Sequence, residues 1–459
     1  MMSDPARVVA LDVLEQVRAG AYANIALPAI LKEAGLSGRG RGFATNLTYG
    51  TLRMLGRWDA IIAECVQGRR FDEIDPLVVD ILRLGAHQIL EMDVPMHAAL
   101  NETVNLTRNE VGSGASGFVN AVLHRIGERS NAQWDQVIAE RLSADGDLAV
   151  LGAQTSHPRW ILDVYTAALT AAGRHPEDLP ILLAANNEPA QIALAPRAVS
   201  RDTLLEDMSE VGIEGEPGTL LDSAVVLKRG NPGRIHAVRR QEAGVQDEGS
   251  QLVAHLTRYA PLSGPDQKWL DMCAGPGGKT ATLAGLAPEG VTIFANELHG
   301  HRLDLVAQAV EPFGDTVVLR EGDGTELADE QPGFFDRVLV DVPCSGLGSL
   351  RRRPEARWTK TTDDAHNMAD LQRSLLQAAI ATARPGGLIC YSTCSPDVRE
   401  TREIVESVSG AHIIDAVEVA RSLTKEGSLS TLTGPYLQLW PDEHDTDAMF
   451  AALLIKEKE

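Results

Sequence analysis

The sequence predicts a multidomain protein: an all-α bundle first, then a small α/β connecting subdomain, then a C-terminal doubly wound α/β domain. Three observations carry this. The chain has 459 residues, more than one hydrophobic core ordinarily organises. Roughly its first 130 residues show only the 3.6-residue apolar period of amphipathic helices. From about residue 245, β-like runs alternate with helical ones, the pattern of a parallel sheet covered on both faces. Boundaries are expected near 1–145, 146–240 and 241–459.

The N-terminal helices carry their own punctuation. In "SDPARVVALDVLEQV", Ser3 or Asp4 is a cap and Pro5 opens the first turn, with Ala10, Val13, Leu14 and Val17 on one face. Asp75 and Pro76 repeat the device ahead of Val78, Ile81, Leu82, Gly85 and Ile89, and Val119, Val122, Leu123 and Ile126 form a third stripe. Connecting helices are expected to about residue 175. Between about 180 and 240, "QIALAP" and "AVVLKRG" read as short strands among Gly and Pro. Beyond them, "KWLDMCAG", "VTIFANE", "TVVLREGD", "RVLVDVP" and "GGLICYST" read as five strands, each followed by a polar or reactive residue: Asp271, Glu297, Asp323, Asp341 and Cys394. In such sheets ligands lie beyond the carboxyl ends of the strands.

Composition narrows the class. Hydrophobic residues make up 44% and charged residues 23%, as in a folded globular protein. The N-terminal residues lack the basic and apolar segments of a secretion signal, and no apolar run spans a bilayer, so a cytoplasmic protein without a membrane partner is expected. Five cysteines are too few for a disulfide framework. With 64 acidic against 42 basic residues the formal charge is -22, so RNA binding would need a local basic patch. Nothing demands an oligomer, and a monomer is expected.

"DMCAGPGGKT" is a glycine-rich turn between strand and helix, suited to holding a ligand on backbone amides. The phosphate-loop pattern matches Gly278, Lys279 and Thr280 but has Cys273 where glycine is required. The dinucleotide pattern fits Gly275 and Gly277 but ends on Thr280. With Glu297 about twenty residues on as a ribose ligand, a nucleoside without a triphosphate fits better, and S-adenosylmethionine is the candidate. The expected cofactor residues are Cys273, Ala274, Gly275, Pro276, Gly277, Gly278, Lys279, Glu297, Asp323 and Asp341. Cys65 and Cys390 read as buried apolar residues, whereas Cys344 in "VPCSG" and Cys394 in "STCSP" sit in turns at the same sheet edge. His299 and His301 lack the partners that would complete a metal site.

Two resemblances follow from these motifs. "TYGTLR", "LRLGAHQIL", "MHAALNETVNLTR" and "GFVNAVLHRI" resemble the NusB antitermination factors, implying a helical RNA-binding domain at 1–145. His124 stands where that pattern usually has Arg. "CAGPGGKT", "DVPCSG" and "STCS", in that order, resemble the NOL1/NOP2/Sun family of cytosine-C5 RNA methyltransferases, which implies a Rossmann-like class I methyltransferase domain. The resemblance makes Cys394 the nucleophile that adds to C6, gives Cys344 a part in elimination, and puts Asp341 near the base. It places Asp323 against adenine and Glu297 against ribose, and it implies RNA as partner, 16S ribosomal RNA first and transfer RNA second. Arg351, Arg352, Arg353 and Arg357, with Trp358, are then expected on the pocket rim, binding the backbone around a flipped-out base. Two rivals stand beside this: a phosphate-loop ATPase, disfavoured by Cys273, and a non-enzymatic RNA-binding factor, disfavoured by the two intact cysteine motifs.

Overall fold

The computed structural model of the chain describes residues 3–68, 70–92 and 94–458. They form two compact units, one from Met1–Thr166, Glu177–Glu188 and Leu350–Lys360, the other from Ala167–Pro176, Pro189–Ser349 and Thr361–Glu459. The stretch 146–240, read from sequence as one connector, is divided between them.

The first unit is helical, with no strand among its described residues. Its helices include α1 (Pro5–Arg18), α2 (Ala23–Glu33), α3 (Gly38–Arg53), α4 (Leu55–Cys65), α5 (Pro76–Leu90), α6 (Met96–Glu110) and α7 (Ser113–Gly127). Asp4 caps α1 by accepting from the amides of Ala6 and Arg7, and Asp75 caps α5 by accepting from Leu77. The apolar stripes face one core: Ala10, Val13, Ile81, Leu82, Val119, Val122, Leu123 and Ile126 are fully buried around Trp58. Removing each such aliphatic side chain from water contributes about 1.5–3 kcal/mol.

The arginine-rich segment overturns an expectation. Leu350–Lys360 packs as part of the helical unit. Arg357, expected on an exposed rim, is fully buried. Its guanidinium donates to the carbonyls of Arg53 (2.9 Å), Ser156 (3.2 Å) and Asn186 (2.8 Å) and to Asn187 Oδ1 (2.7 Å). Arg53 ends α3, Ser156 follows the helix Asp147–Thr155, and Asn186 lies at the end of the helix Leu179–Asn187. One cation thus satisfies carbonyls at three helix C-termini, where orphaned carbonyls and the helix dipole favour positive charge. Arg351 is also buried, with its carbonyl accepting from Arg53. Arg353 lies over the Tyr22 ring at 4.7 Å, Arg352 is half-buried, and the Trp358 ring covers Gly56. Arg357 is therefore a structural tie within this unit, and Arg351 is buried rather than on an exposed rim.

The second unit holds two sheets. The smaller is antiparallel, in the order β2–β3–β1–β4, from β1 (Ile192–Pro196), β2 (Glu214–Pro217), β3 (Val225–Arg229) and β4 (Ala243–Val245). The larger contains β5 (Lys268–Asp271), β6 (Thr292–Glu297), β7 (Val317–Glu321), β8 (Phe335–Asp341) and β9 (Ala383–Thr393), all parallel. It also has β10 (Ala411–Ile414), β11 (Leu437–Gln438) and β12 (Phe450–Lys456), and its order is β10–β12–β9–β8–β5–β6–β7 with β11 beside β12. β12 runs antiparallel to β9, which the sequence does not announce.

Both faces of this sheet are covered. Trp269, Leu339 and Cys390 pack with Leu252, Leu256, Ala281 and Leu283 on one side, while Leu270, Val338, Val340 and Tyr391 meet Leu375, Leu376 and Ala379 on the other. The strand order changes direction at β5, which lies between β6 and β8. That switch point opens a crevice at the carboxyl ends. Among the described residues, no helix is long and apolar enough to cross a membrane.

Candidate functional site

The crevice is built by the turns that leave β5, β6, β7, β8 and β9. After β5, the loop 272–277 turns sharply into the helix Gly278–Leu286. Gly277 caps that helix at φ 96°, and a Cβ there would come within 2.9 Å of the Val306 backbone. Gly275 donates its amide to Glu297 Oε2 at 3.1 Å, and a Cβ at this position would lie 2.2 Å from that oxygen. Arg302 closes the turn by donating to the Gly275 carbonyl at 2.8 Å. The glycines therefore bring the backbone directly against the β6 carboxylate.

Four carboxylates converge here. Asp271 is buried at the end of β5, where Thr280 Oγ1 donates to one oxygen at 2.7 Å. Burial raises its pKa to about 6. Glu297 ends β6 and also accepts from the His299 amide at 3.1 Å. Asp323, just past β7, accepts from the amide and hydroxyl of Thr325, both at 2.8 Å. Asp341 ends β8 between Lys279 Nζ at 2.7 Å and Ser392 Oγ at 2.8 Å.

This donor set tests the cofactor. A cleft lined by carboxylates repels a triphosphate but suits a cationic sulfonium, and Glu297 and Asp323 stand at strand ends where a nucleoside's polar groups can be met. The residues fit S-adenosylmethionine. Burial pushes the thiol of Cys273, within the loop, well up.

The two other cysteines face each other. Cys344 follows β8 and Cys394 follows β9, and their sulfurs lie 3.4 Å apart, both partly exposed. Their hydrogen bond pulls Cys344 below the ordinary thiol value; the same bond, with burial, pushes Cys394 well above it. The pair is arranged to pass a proton between two sulfurs. Lys279 favours charge on Cys394, so one ammonium serves both Asp341 and this thiol. Cys65 and Cys390 are buried and pushed up to about 12, as inert thiols should be.

The turn that carries Cys344 is clamped by a residue with no assigned part in the sequence reading. Glu400 is fully buried and accepts from the Ser345 amide at 2.8 Å, from Ser345 Oγ and from Gln372 Nε2 at 3.1 Å. Gln372 also donates to the Pro343 carbonyl at 2.9 Å, and the Gly348 amide donates to the Cys394 carbonyl at 2.8 Å. Both thiol turns are thereby fixed. Glu400 stands 55 residues from Ser345, so no local pattern joins the two.

Of the residues expected at the site, Cys273 to Lys279, Glu297, Asp323, Asp341, Cys344 and Cys394 lie along this sheet edge. Arg351, Arg352, Arg353 and Arg357 belong to the helical unit instead. Among the described residues, no cluster of three or more His, Cys, Asp or Glu could hold a metal ion.

Comparison with known proteins places this architecture. Residues 261–455 match the family model described as 16S rRNA methyltransferase RsmB/F, and residues 4–128 match the NusB family. A protein of Mycobacterium tuberculosis named only as a methyltransferase is 45% identical over 455 residues, covering 98% of this chain and 96% of its own. Ribosomal RNA small subunit methyltransferase B of Pseudomonas putida is 32% identical, with 98% of each chain covered. The crystal structure of PH0851 shares the fold over 100% of this chain and 99% of its own, with TM-score 0.79 at 19% identity. The chain belongs to the RsmB/F family of S-adenosylmethionine-dependent ribosomal RNA methyltransferases, with a NusB domain at its N-terminal side.

Proposed function

We propose that this protein methylates C5 of a cytosine in 16S ribosomal RNA in the cytoplasm, through a covalent bond between Cys394 and C6 of the base. The observation that carries the reading is the Cys344–Cys394 pair, 3.4 Å apart beside the Lys279–Asp341 ion pair. C5 of cytosine is a weak nucleophile. A thiolate added at C6 converts the ring to an enamine and makes C5 reactive, dividing one hard step into easier ones.

The Cys394 proton passes to Cys344, and the thiolate, favoured by Lys279, bonds to C6. Ring electrons move toward C5 and N3. Asp341 would accept from the exocyclic amine, orienting the base. S-adenosylmethionine, when bound, supplies a methyl group on a sulfonium, which C5 can attack. Cys344 releases the proton it took to solvent, and its thiolate then takes the C5 proton, so that one proton leaves for the methyl cation gained. The C5–C6 double bond re-forms as the C6–S bond breaks, and its electron pair returns to Cys394. Loop amides between Cys273 and Lys279, with Glu297 toward ribose and Asp323 toward adenine, would hold the donor.

The test is methyl transfer from labelled S-adenosylmethionine to unmethylated 16S ribosomal RNA, with the product nucleosides separated. Label in 5-methylcytidine is the expected result. Label in another nucleoside contradicts the C5 chemistry. Label only with transfer RNA as acceptor contradicts the substrate.

A further inference from the structure

Most buried arginines of this chain have an obvious acceptor. Arg337 meets Asp266 at 2.8 Å, Arg7 meets Gln88 Oε1 at 2.8 Å, and Arg357 meets four oxygens. Arg197 does not. It follows β1 in the smaller sheet and is only 8% exposed, its Nε is buried without a partner, and no side-chain hydrogen bond or ion pair reaches it among the described residues. No carboxylate offsets its burial, which lowers it to about 10.

Its position is specific. The guanidinium lies flat on Gly244, where a Cβ would come within 2.2 Å of Cζ. On its other side, Nη2 is 3.9 Å from where a Cβ of Gly278 would stand, and the side chain of Gln246 is equally close to that point. Gly278 is the first residue of the nine-residue helix Gly278–Leu286, whose free amides carry partial positive charge. A buried cation near a helix N-terminus places two positive groups together, and among the described residues no carboxylate pairs with the arginine. That arrangement is costly unless an anion enters.

We propose that Arg197, beside the first residue of the helix Gly278–Leu286, binds a phosphodiester of the RNA strand carrying the target cytosine, next to the donor held by the preceding loop. The inference rests on the RNA reading above and adds a contact it does not contain. The phosphate would sit beside Lys279, one residue into the same helix, whose ammonium faces Cys394. A flipped base keeps its flanking phosphates close to the pocket. In a chain of net charge -22, this arginine supplies the local positive site that the buried Arg351 and Arg357 do not.

The test is equilibrium binding of unmethylated 16S ribosomal RNA across a salt series, beside calorimetry with S-adenosylmethionine, for wild type, Arg197→Gln and Arg197→Lys. Arg197→Gln should bind RNA about tenfold less tightly. Its slope of log affinity against log salt should fall by about one, with donor affinity unchanged. Arg197→Lys should restore the slope and part of the affinity, and it decides the matter if the Gln variant does not fold. Unchanged RNA affinity and slope overturn the proposal, as does loss of donor affinity alone, which would assign Arg197 to the donor carboxylate. Absence of RNA binding by wild type would instead remove the RNA reading and this inference with it.

Discussion

Lys279, in the first turn of the helix Gly278–Leu286, and Asp341, at the end of β8, are joined at 2.7 Å, and the same ammonium favours charge on the thiol of Cys394. One cation thus pairs with the Asp341 carboxylate and favours charge on the thiol proposed to attack the base. Replacing it with methionine keeps the apolar stem and removes the charge. Lys279→Met should lower the single-turnover methylation rate about a hundredfold, the scale of losing one preorganised electrostatic group. The thiol limb of its pH–rate profile should move to higher pH. An unchanged rate would show that Lys279 has no part in the chemistry.

Cys394→Ser should abolish methyl transfer. A serine hydroxyl is far less acidic than a thiol and adds poorly to C6. Donor affinity by calorimetry should stay at the wild-type value, because the donor residues lie on other strand ends. Substantial residual turnover would remove Cys394 as the nucleophile.

Asp271 gives a pH signature of the crevice. Burial raises its pKa from 3.8 to about 6, so the folded protein binds the proton more tightly than the unfolded chain. Its contribution is therefore present below pH 3.8 and lost as pH rises to about 6. Asp271→Asn removes this dependence while keeping an acceptor for Thr280. The variant should match wild type near pH 4 and exceed it by up to about 3 kcal/mol above pH 6, read by denaturant unfolding at each pH. A constant difference across that range would contradict the raised pKa.

Arg357 should behave as a stability residue. Arg357→Met leaves carbonyls at three helix ends and Asn187 Oδ1 without their donor, in a buried setting. Losing one partner of a buried charged network costs about 3–5 kcal/mol. Denaturant unfolding of the full chain should show a drop of that size. Donor affinity of the folded variant should be unchanged. Stability equal to wild type would refute the tie.

Much of this fold was legible because local patterns and tertiary needs agree. Asp4–Pro5 and Asp75–Pro76 open helices whose apolar stripes are the core, and the five strands from Lys268 onward end on the groups that line the crevice. The glycine loop was legible for the same reason, since Gly275 and Gly277 occupy positions where a side chain would collide. What failed was the arginine segment. A run of arginines after a reactive turn reads as a solvent-facing rim. Its burial depends on carbonyls of Arg53, Ser156 and Asn186, each 170 or more residues away. The hold of Glu400 on Ser345 and the isolation of Arg197 are invisible for a related reason. Both are set by what folding brings near, or fails to bring near, a side chain of unremarkable local context. β2 and β4 are too short to show a period.

The most direct measurement is of the Cys344→Ala variant incubated with S-adenosylmethionine and unmethylated 16S ribosomal RNA, then run on a denaturing gel. With addition at C6 intact and release impaired, a protein–RNA adduct should persist, linked through Cys394 and absent from the Cys344→Ala, Cys394→Ser double variant. No adduct from a Cys344→Ala protein that still binds RNA and donor would contradict the two-thiol account, and so would an adduct that survives in the double variant.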